Sequence, residues 1–217
     1  MRPIVRPAEA GDVEALMAIR ALLSPRWRES FAGAAGGFLL GSTVDAYHAH
    51  VANGCVMVTE VAGAVNAYSV VLPDAVLRTT EVYAKRHDAG LAPGLLERLE
   101  GAKVAYFDQL AARPGHGAAA TRLAFLHLIE TCAVHDAVLA TTVIEPVVNR
   151  AAVPLLEAVG FRPVGSIEEQ YPEVGAVTSR VYLVETCSVV AAVATARGER
   201  FKLRAARSSG PVVPSSA

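Results

Sequence analysis

The stretch VAYFDQLAARPGHGAAATRLAF, Val104 to Phe125, opens as an apolar strand and closes as the start of a helix. The strand is expected over Val104 to Ala112. The helix is expected over about Ala119 to Val134, with Leu123, Leu126, Ile129 and Ala133 on one side and Arg122 and Glu130 elsewhere. Between them lie Pro114, Gly115, His116, Gly117 and the alanines Ala118, Ala119 and Ala120, almost bare backbone. Such a loop, entering a helix N-terminus, exposes amide N–H groups that no intrahelical acceptor can take. The helix dipole adds roughly half a positive charge there, so a phosphate or pyrophosphate is its natural occupant. Arg122, in the expected first turn, agrees with a nearby anion. Small residues would equally let helix and strand pack closely, and both readings stand at this point. No Gly-Lys-Ser/Thr follows, and no acidic residue ends the next strand, so neither the P-loop nor the dinucleotide fingerprint applies.

Working outward, a short strand at Ile4 and Val5 precedes a helix over Glu9 to Leu23, stopped by Pro25. After a glycine-bearing stretch (Gly33, Gly36, Gly37, Gly41), STVDAYHAHVANG reads as a short helix with capping-box spacing at Ser42 and Asp45 and a stop at Asn53-Gly54. CVMVTEV and AVNAYSVVL flank Gly63 as an antiparallel hairpin. Pro73 to Lys103 carries only a helix near Leu91 to Leu99 and reads as a connection that lines a site. AVLATTV is a strand, NRAAVPLLEAVGF a helix ended by Gly160 with Pro154 awkwardly inside it, and RPVGSI and SRVYLVE are two last strands. Strands adjoin strands early and alternate with helices late. The expected architecture is therefore α/β (α+β), a mixed sheet with helices on both faces and one parallel pair.

At 217 residues and 53% hydrophobic, one domain with one substantial core is expected. That domain is placed at 1–188, with a basic, partly disordered tail at 189–217. Twenty Lys and Arg against 21 Asp and Glu give no basic footprint, so nucleic acid is not an expected partner. The apolar tracts fall short of the roughly 18 residues of a membrane span, and the start MRPIVRPAEAGD lacks a secretory pattern. Three scattered cysteines, Cys55, Cys132 and Cys187, suit a reducing compartment, and a cytoplasmic location is expected. His48 and His50 lie two apart on a helix and point in different directions, so no metal is assigned.

Two blocks together resemble the GNAT acetyltransferase superfamily. The first is the strand, loop and helix beginning at Phe107-Asp108-Gln109-Leu110. The second is Asn149, Ala152, Leu155-Leu156 and Gly160-Phe161. The order of elements from Arg2 to about Glu185 also follows that fold, which would be a mostly antiparallel sheet. Two departures stand out. An ungapped match to the family's loop pattern (Gln or Arg, two residues, Gly, one residue, Gly or Ala) puts Gly117, Ala120 and Arg122 at the marked positions. The position of the usual general-acid tyrosine falls at Leu156.

The resemblance implies acyl transfer from coenzyme A, with acetyl-CoA as co-substrate, to the amine of a small molecule, an amino acid or a protein terminus. It implies that Leu110, Ala111 and Ala112 offer amides to the pantetheine arm and the thioester oxygen. The loop Gly115, His116, Gly117, Ala118, Ala119, Ala120, Thr121 and Arg122 would hold the pyrophosphate, and Asn149 would contact the thiol arm. An alkyl amine with a pKa near 10 must lose a proton before it attacks. Asp108, expected on one strand face with Tyr106 and Leu110, is the first candidate base; Glu145 is the second, and Tyr106 the candidate acid. Each has a structural alternative: Asp108 as partner to an N–H or arginine, Glu145 as a solvated carboxylate, Tyr106 as core. An inactive acyl-CoA-binding regulator, or a transferase using a longer or carrier-bound acyl donor, is the competing function. Oligomeric state stays open, with a homodimer among the options.

Overall fold

A computed structural model of the chain describes residues 3–23, 39, 42–171 and 175–186. The Pro25 stop, the glycines 33–41, Cys187 and the basic tail lie outside the described residues.

Strand β1 (Ile4–Pro7) passes through one 3-10 turn (Ala10–Asp12) into α1 (Val13–Leu23). Helix α2 (Val44–Ala52) starts one residue later than the expected cap. Thr43, not Ser42, accepts from Ala46 N at 3.2 Å, which frees Ser42 for a bond described below. Gly54, at φ +68°, stops the helix as expected. Strands β2 (Val56–Val61) and β3 (Ala64–Leu72) form the expected hairpin. Its two-residue turn, Ala62 and Gly63, has φ of 54° and 77°, the pair of left-handed conformations that matches strand twist.

The connection after β3 holds three short helices, α3 (Asp74–Leu77), α4 (Glu81–Ala84) and α5 (Leu95–Glu100). The helix expected from Leu91 begins four residues late because Pro93 and the left-handed Gly94 cannot belong to it. Then come β4 (Val104–Ala112), α6 (Gly117–Cys132), β5 (Ala137–Glu145), α7 (Ala152–Val159), β6 (Arg162–Tyr171) and β7 (Gly175–Glu185). Pro154 is the third residue of α7, in the first turn, where its missing N–H deprives no carbonyl of a partner. Gly160, at φ 96°, ends that helix and turns Phe161 into the core.

One seven-stranded sheet runs β1-β2-β3-β4-β5-β7-β6. Only β4 and β5 are parallel; every other neighbouring pair is antiparallel. On one face α1, α2, α3 and α5 bury Leu16, Ile19, Tyr47, Leu77 and Leu99 against Val58, Tyr68, Val70 and Tyr106. On the other, α6 and α7 bury Ala124, Leu128, Leu156 and Val159 against Phe107, Val138 and Tyr182. The expected mixed sheet with helices on both faces is thus the observed one.

Helix α6 is phased differently from its apolar pattern. It begins two residues early, and its buried face carries Ala120, Leu123, Ala124, His127, Leu128 and Thr131; Leu126 and Ile129 are half-buried and Ala133 exposed. Two polar side chains turn inward because each finds a partner there. His127 Nδ1 lies 3.0 Å from Ser69 Oγ, and Thr131 Oγ1 donates to His127 O at 2.7 Å. Burial holds the His127 imidazole down at about 4, so it is neutral at pH 7.

Candidate functional site

The β4–β5 pairing lasts only from Val104↔Ala137 to Phe107↔Ala140. Beyond it β4 continues to Ala112 and β5 to Glu145 without pairing to each other, so the sheet opens into a wedge. The open edge of β4 therefore carries free backbone groups. Arg113 N donates to Asn66 O on β3 at 2.9 Å. Amides alternate along a strand, so those of Ala111 and Gln109 also face β3, while those of Ala112 and Leu110 face the wedge. Of the three residues named for such amides, Leu110 and Ala112 direct theirs to the wedge and Ala111 directs its own to β3.

The loop at the wedge is shorter than the sequence reading had it. Arg113 to His116 form a single turn, closed by His116 N donating to Arg113 O at 3.0 Å, with Gly115 at φ 84°. Helix α6 follows at Gly117. Among the described residues, the amides of Gly115, Gly117 and Ala118 donate to no protein acceptor. Those of Ala119 and Ala120 are already bound to His116 O, at 3.0 and 3.1 Å. Ala120 is buried, and Thr121 Oγ1 donates back to Gly117 O at 3.1 Å, so Ala120, Thr121 and Arg122 belong to the helix rather than the loop. Arg122 sits in the second turn, not the first. The ungapped alignment was thus displaced: the Gly-x-Gly at the strand-to-helix junction is Gly115-His116-Gly117.

Asp108 occupies a β-bulge. Val70 pairs with Gln109 and Val71 with Phe107, so Asp108 has no partner on β3. The extra residue shifts the alternation. Tyr106, Gln109 and Ala111 pack on the face of α1 and α2, whereas Leu110 packs against α6 and α7. The expected grouping of Asp108 with Tyr106 and Leu110 on one face is therefore wrong for Leu110. Asp108 keeps partial solvent access, yet burial lifts its carboxyl to about 6; a bond from Gln109 opposes the rise and the charge of Glu169 adds to it.

Four polar side chains around Asp108 were missed in the sequence. Gln109 Nε2 donates to Asp108 Oδ2 at 3.0 Å and to Ser42 Oγ at 2.7 Å. Its Oε1 accepts from the hydroxyls of Tyr47, at 2.7 Å, and Tyr68, at 3.4 Å, which lie 2.8 Å apart. A carboxylate only accepts, so the amide nitrogen of Gln109 must face Asp108 and its oxygen the two tyrosines; between the hydroxyls of Tyr47 and Tyr68 either can be the donor. Burial raises both tyrosine hydroxyls above their usual range. The available signal was polar letters inside the apolar runs AYSVVL and VAYFDQL, and the side chains they meet come from distant segments.

Tyr106 is buried, and its hydroxyl is 2.5 Å from Thr141 Oγ1, the first residue of β5 beyond the pairing. Burial keeps that hydroxyl protonated. Glu145 is exposed at the end of β5 and accepts from Thr178 Oγ1 at 3.4 Å, near the outer end of the wedge rather than beside Asp108. Asn149 Oδ1 accepts from Ala152 N at 3.3 Å, capping the start of α7 and leaving its side-chain N–H₂ as donor. Leu156 is packed in the core.

The fold is shared with solved acetyltransferases. A GNAT-family acetyltransferase from Listeria monocytogenes gives a TM-score of 0.57 at 15% identity, over 84% of this chain and 94% of that one. A protein assigned as an acetyltransferase from Salmonella typhimurium, solved with its cofactor acetyl-CoA, gives 0.57 at 14% identity, over 86% and 95%. A polyamine N-acetyltransferase from Drosophila melanogaster, which forms N-acetylagmatine, gives 0.54 at 16% identity, over 85% and 100%. No protein-family model and no curated protein matches the chain in sequence.

Proposed function

From a chain that has the fold of the GNAT acetyltransferases, we propose an N-acetyltransferase that moves an acetyl group from acetyl-CoA to a primary amine of a small molecule. One observation carries the reading: the wedge past Phe107, the free amides of α6 and the bulged Asp108 all meet at the same end of β4.

The residues present fit coenzyme A. The free amides of Gly115, Gly117 and Ala118, at the positive end of a 16-residue helix, suit a diphosphate without any lysine. The amides of Leu110 and Ala112 on the open edge suit the pantetheine arm, and the side-chain N–H₂ of Asn149 is free to donate toward it. Bound there, acetyl-CoA supplies a thioester whose C–S bond breaks as the amide C–N bond forms, the sulfur leaving with one of the amine's protons.

The chain's own residues handle the other proton. An ammonium reaching Asp108 meets a carboxylate whose raised pKa, about 6, makes it a better base than an ordinary aspartate while still ionised at pH 7. Gln109 fixes the carboxylate through Oδ2. The Tyr106–Thr141 pair offers a protonated hydroxyl beside the wedge. Glu145, being remote and solvated, holds no role here.

The test uses the purified full chain. Acetyl-CoA at about a hundred times its Kd adds roughly 2.7 kcal/mol of stability, so the melting temperature rises by several degrees. Free thiol then accumulates on adding a panel of amines. No shift with acetyl-CoA defeats the proposal; a shift without thiol release makes the chain a binding protein.

A further inference from the structure

The sheet face that carries Tyr106 also holds a pocket of about 750 Å³, counting its open mouth, roofed by the β3–β4 connection. Its walls are apolar: Leu77, Val82, Leu91 and Leu96 from the connection, with Leu139 and Ile167 from the sheet. Its polar lining falls in two groups, one from the sheet and one from the connection. At the inner end are Tyr106, Thr141 and Glu169. Tyr106 and Thr141 are the bonded pair at the root of the wedge, and the charge of Glu169 reaches the bulged Asp108, which stands next to this end but outside the lining. At the outer end the Arg86–Glu100 ion pair, 3.0 Å, cancels its own charge, and the Arg86 guanidinium lies 4.3 Å from the centre of the Tyr83 ring.

We propose that this pocket takes an amine with a single positive charge and an apolar body, an alkyl- or arylalkylamine, its ammonium between Asp108 and Glu169 and its hydrocarbon along the leucines. The inference rests on the proposed acetyl transfer and names its acceptor class. Glu169 in the lining, whose Oε1 accepts from the Tyr171 hydroxyl at 2.9 Å, and Asp108 beyond the Tyr106–Thr141 pair favour a cation there. A second ammonium or guanidinium, as in a polyamine or agmatine, would lie against leucine with no partner until it reached an outer mouth already neutralised by its own pair. An acyl chain is the other apolar occupant to consider. It would gain nothing from the carboxylates, because the thioester end it carries is uncharged.

Two readouts test this. Thiol release is followed with an n-alkylamine series from ethylamine to octylamine, with 2-phenylethylamine, and with agmatine and spermidine. Direct binding of 2-phenylethylamine is measured by calorimetry with and without acetyl-CoA. The expected result is a kcat/KM that climbs roughly three- to fourfold per methylene until the pocket is filled, with agmatine and spermidine at least tenfold poorer than hexylamine. Leu96, half-buried on α5, is replaced by Glu to put a charge in the wall. In Leu96→Glu the KM for 2-phenylethylamine rises at least tenfold and its calorimetric binding is lost, while the melting shift with acetyl-CoA is retained. Leu139→Ala gives an independent variant, with the optimum moved to longer chains.

A preference for agmatine or spermidine, or no dependence on chain length, overturns the proposal and leaves acetyl transfer intact. So does a larger melting shift with octanoyl-CoA than with acetyl-CoA that Leu96→Glu abolishes, since the pocket would then hold the acyl chain. Absence of any acetyl-CoA shift defeats the acetyl-transfer reading itself. The calorimetric binding of 2-phenylethylamine, and its loss in Leu96→Glu, still decides whether the pocket takes apolar amines.

Discussion

Asp108 is held in two opposed ways, and both are measurable. Burial raises its pKa from an ordinary 3.8 to about 6. A raised native pKa means the folded chain binds the proton more tightly than the unfolded one. Stability therefore declines as pH rises from about 4 to about 6 and stays lower above that. At 1.4 kcal/mol per unit the cost at pH 7 is about 3 kcal/mol at most. Asp108→Asn removes the charge and the cost: its melting temperature exceeds that of the parent at pH 7.5, and the gap narrows toward pH 4.5. The same variant loses 10²- to 10⁴-fold in kcat if Asp108 is the base, with acetyl-CoA binding unchanged. A fully active Asp108→Asn removes it from the mechanism. In the proposed reaction Gln109 acts through Asp108. Its bond holds the carboxyl pKa down, so Gln109→Met moves the acid limb of the kcat profile, centred near 6 in the parent, to higher pH. A fall in kcat with no displacement of that limb would mean the amide is merely structural. Sequence pattern could single out Asp108 as a carboxylate in an apolar strand. It could not show the bulge, which needs Val70 and Val71 on a different strand to be seen skipping it.

The element on which the proposed coenzyme A binding rests is the first turn of α6. The letters PGHGAAA announce a backbone surface free of side chains, but not which residue begins the helix. Pro114 and Gly115 form the turn, and the turn sets the start at Gly117, two residues before the apolar pattern begins. That displacement moves the free amides to Gly115, Gly117 and Ala118 and carries Arg122 out of the loop. Ala118→Pro tests this placement. Proline is tolerated in a first turn, where its N–H has no helical acceptor to lose, so the helix and the melting temperature are preserved. The substitution removes one donor to a charged oxygen, worth about 1.5–3 kcal/mol. Acetyl-CoA binding by calorimetry should therefore weaken about 10- to 100-fold. Affinity equal to that of the parent would place the diphosphate elsewhere.

Across the whole molecule, the order and kind of strands were legible because β2 to β5 are apolar runs of six to nine residues with clear turns beside them, as at Gly63, whereas β6 carries Glu168 and Glu169 and runs four residues past the expected RPVGSI. The Pro73 to Lys103 connection was illegible because its helices are four to six residues long and are fixed by tertiary contacts. Asp74 Oδ1 accepts from Val104 N at 3.0 Å, and Arg78 Nη2 donates to Ala102 O at 3.0 Å, which ties both ends of that connection together. Its middle docks on the edge strand β6, where Ser166 N donates to Ala89 O at 3.2 Å. Gly165 permits the contact: a Cβ there would stand 2.5 Å from Ala89 O, 3.1 Å from Gly90 O and 2.9 Å from Leu91 Cδ2. Two of those three atoms are backbone, so the clash cannot be relieved by a rotamer change. Gly165→Ala must move the Ala89–Leu91 segment away from β6, at a cost of about 1–3 kcal/mol, and lower the melting temperature by several degrees. Leu91 is a wall of the proposed acceptor pocket, whereas the free amides belong to the turn before α6 and its first residues. The KM for the amine should therefore rise while the acetyl-CoA melting shift stays that of the parent. An unchanged melting temperature would show that the segment is not seated on β6; a lost acetyl-CoA shift would show that pocket and wedge are one mechanical unit.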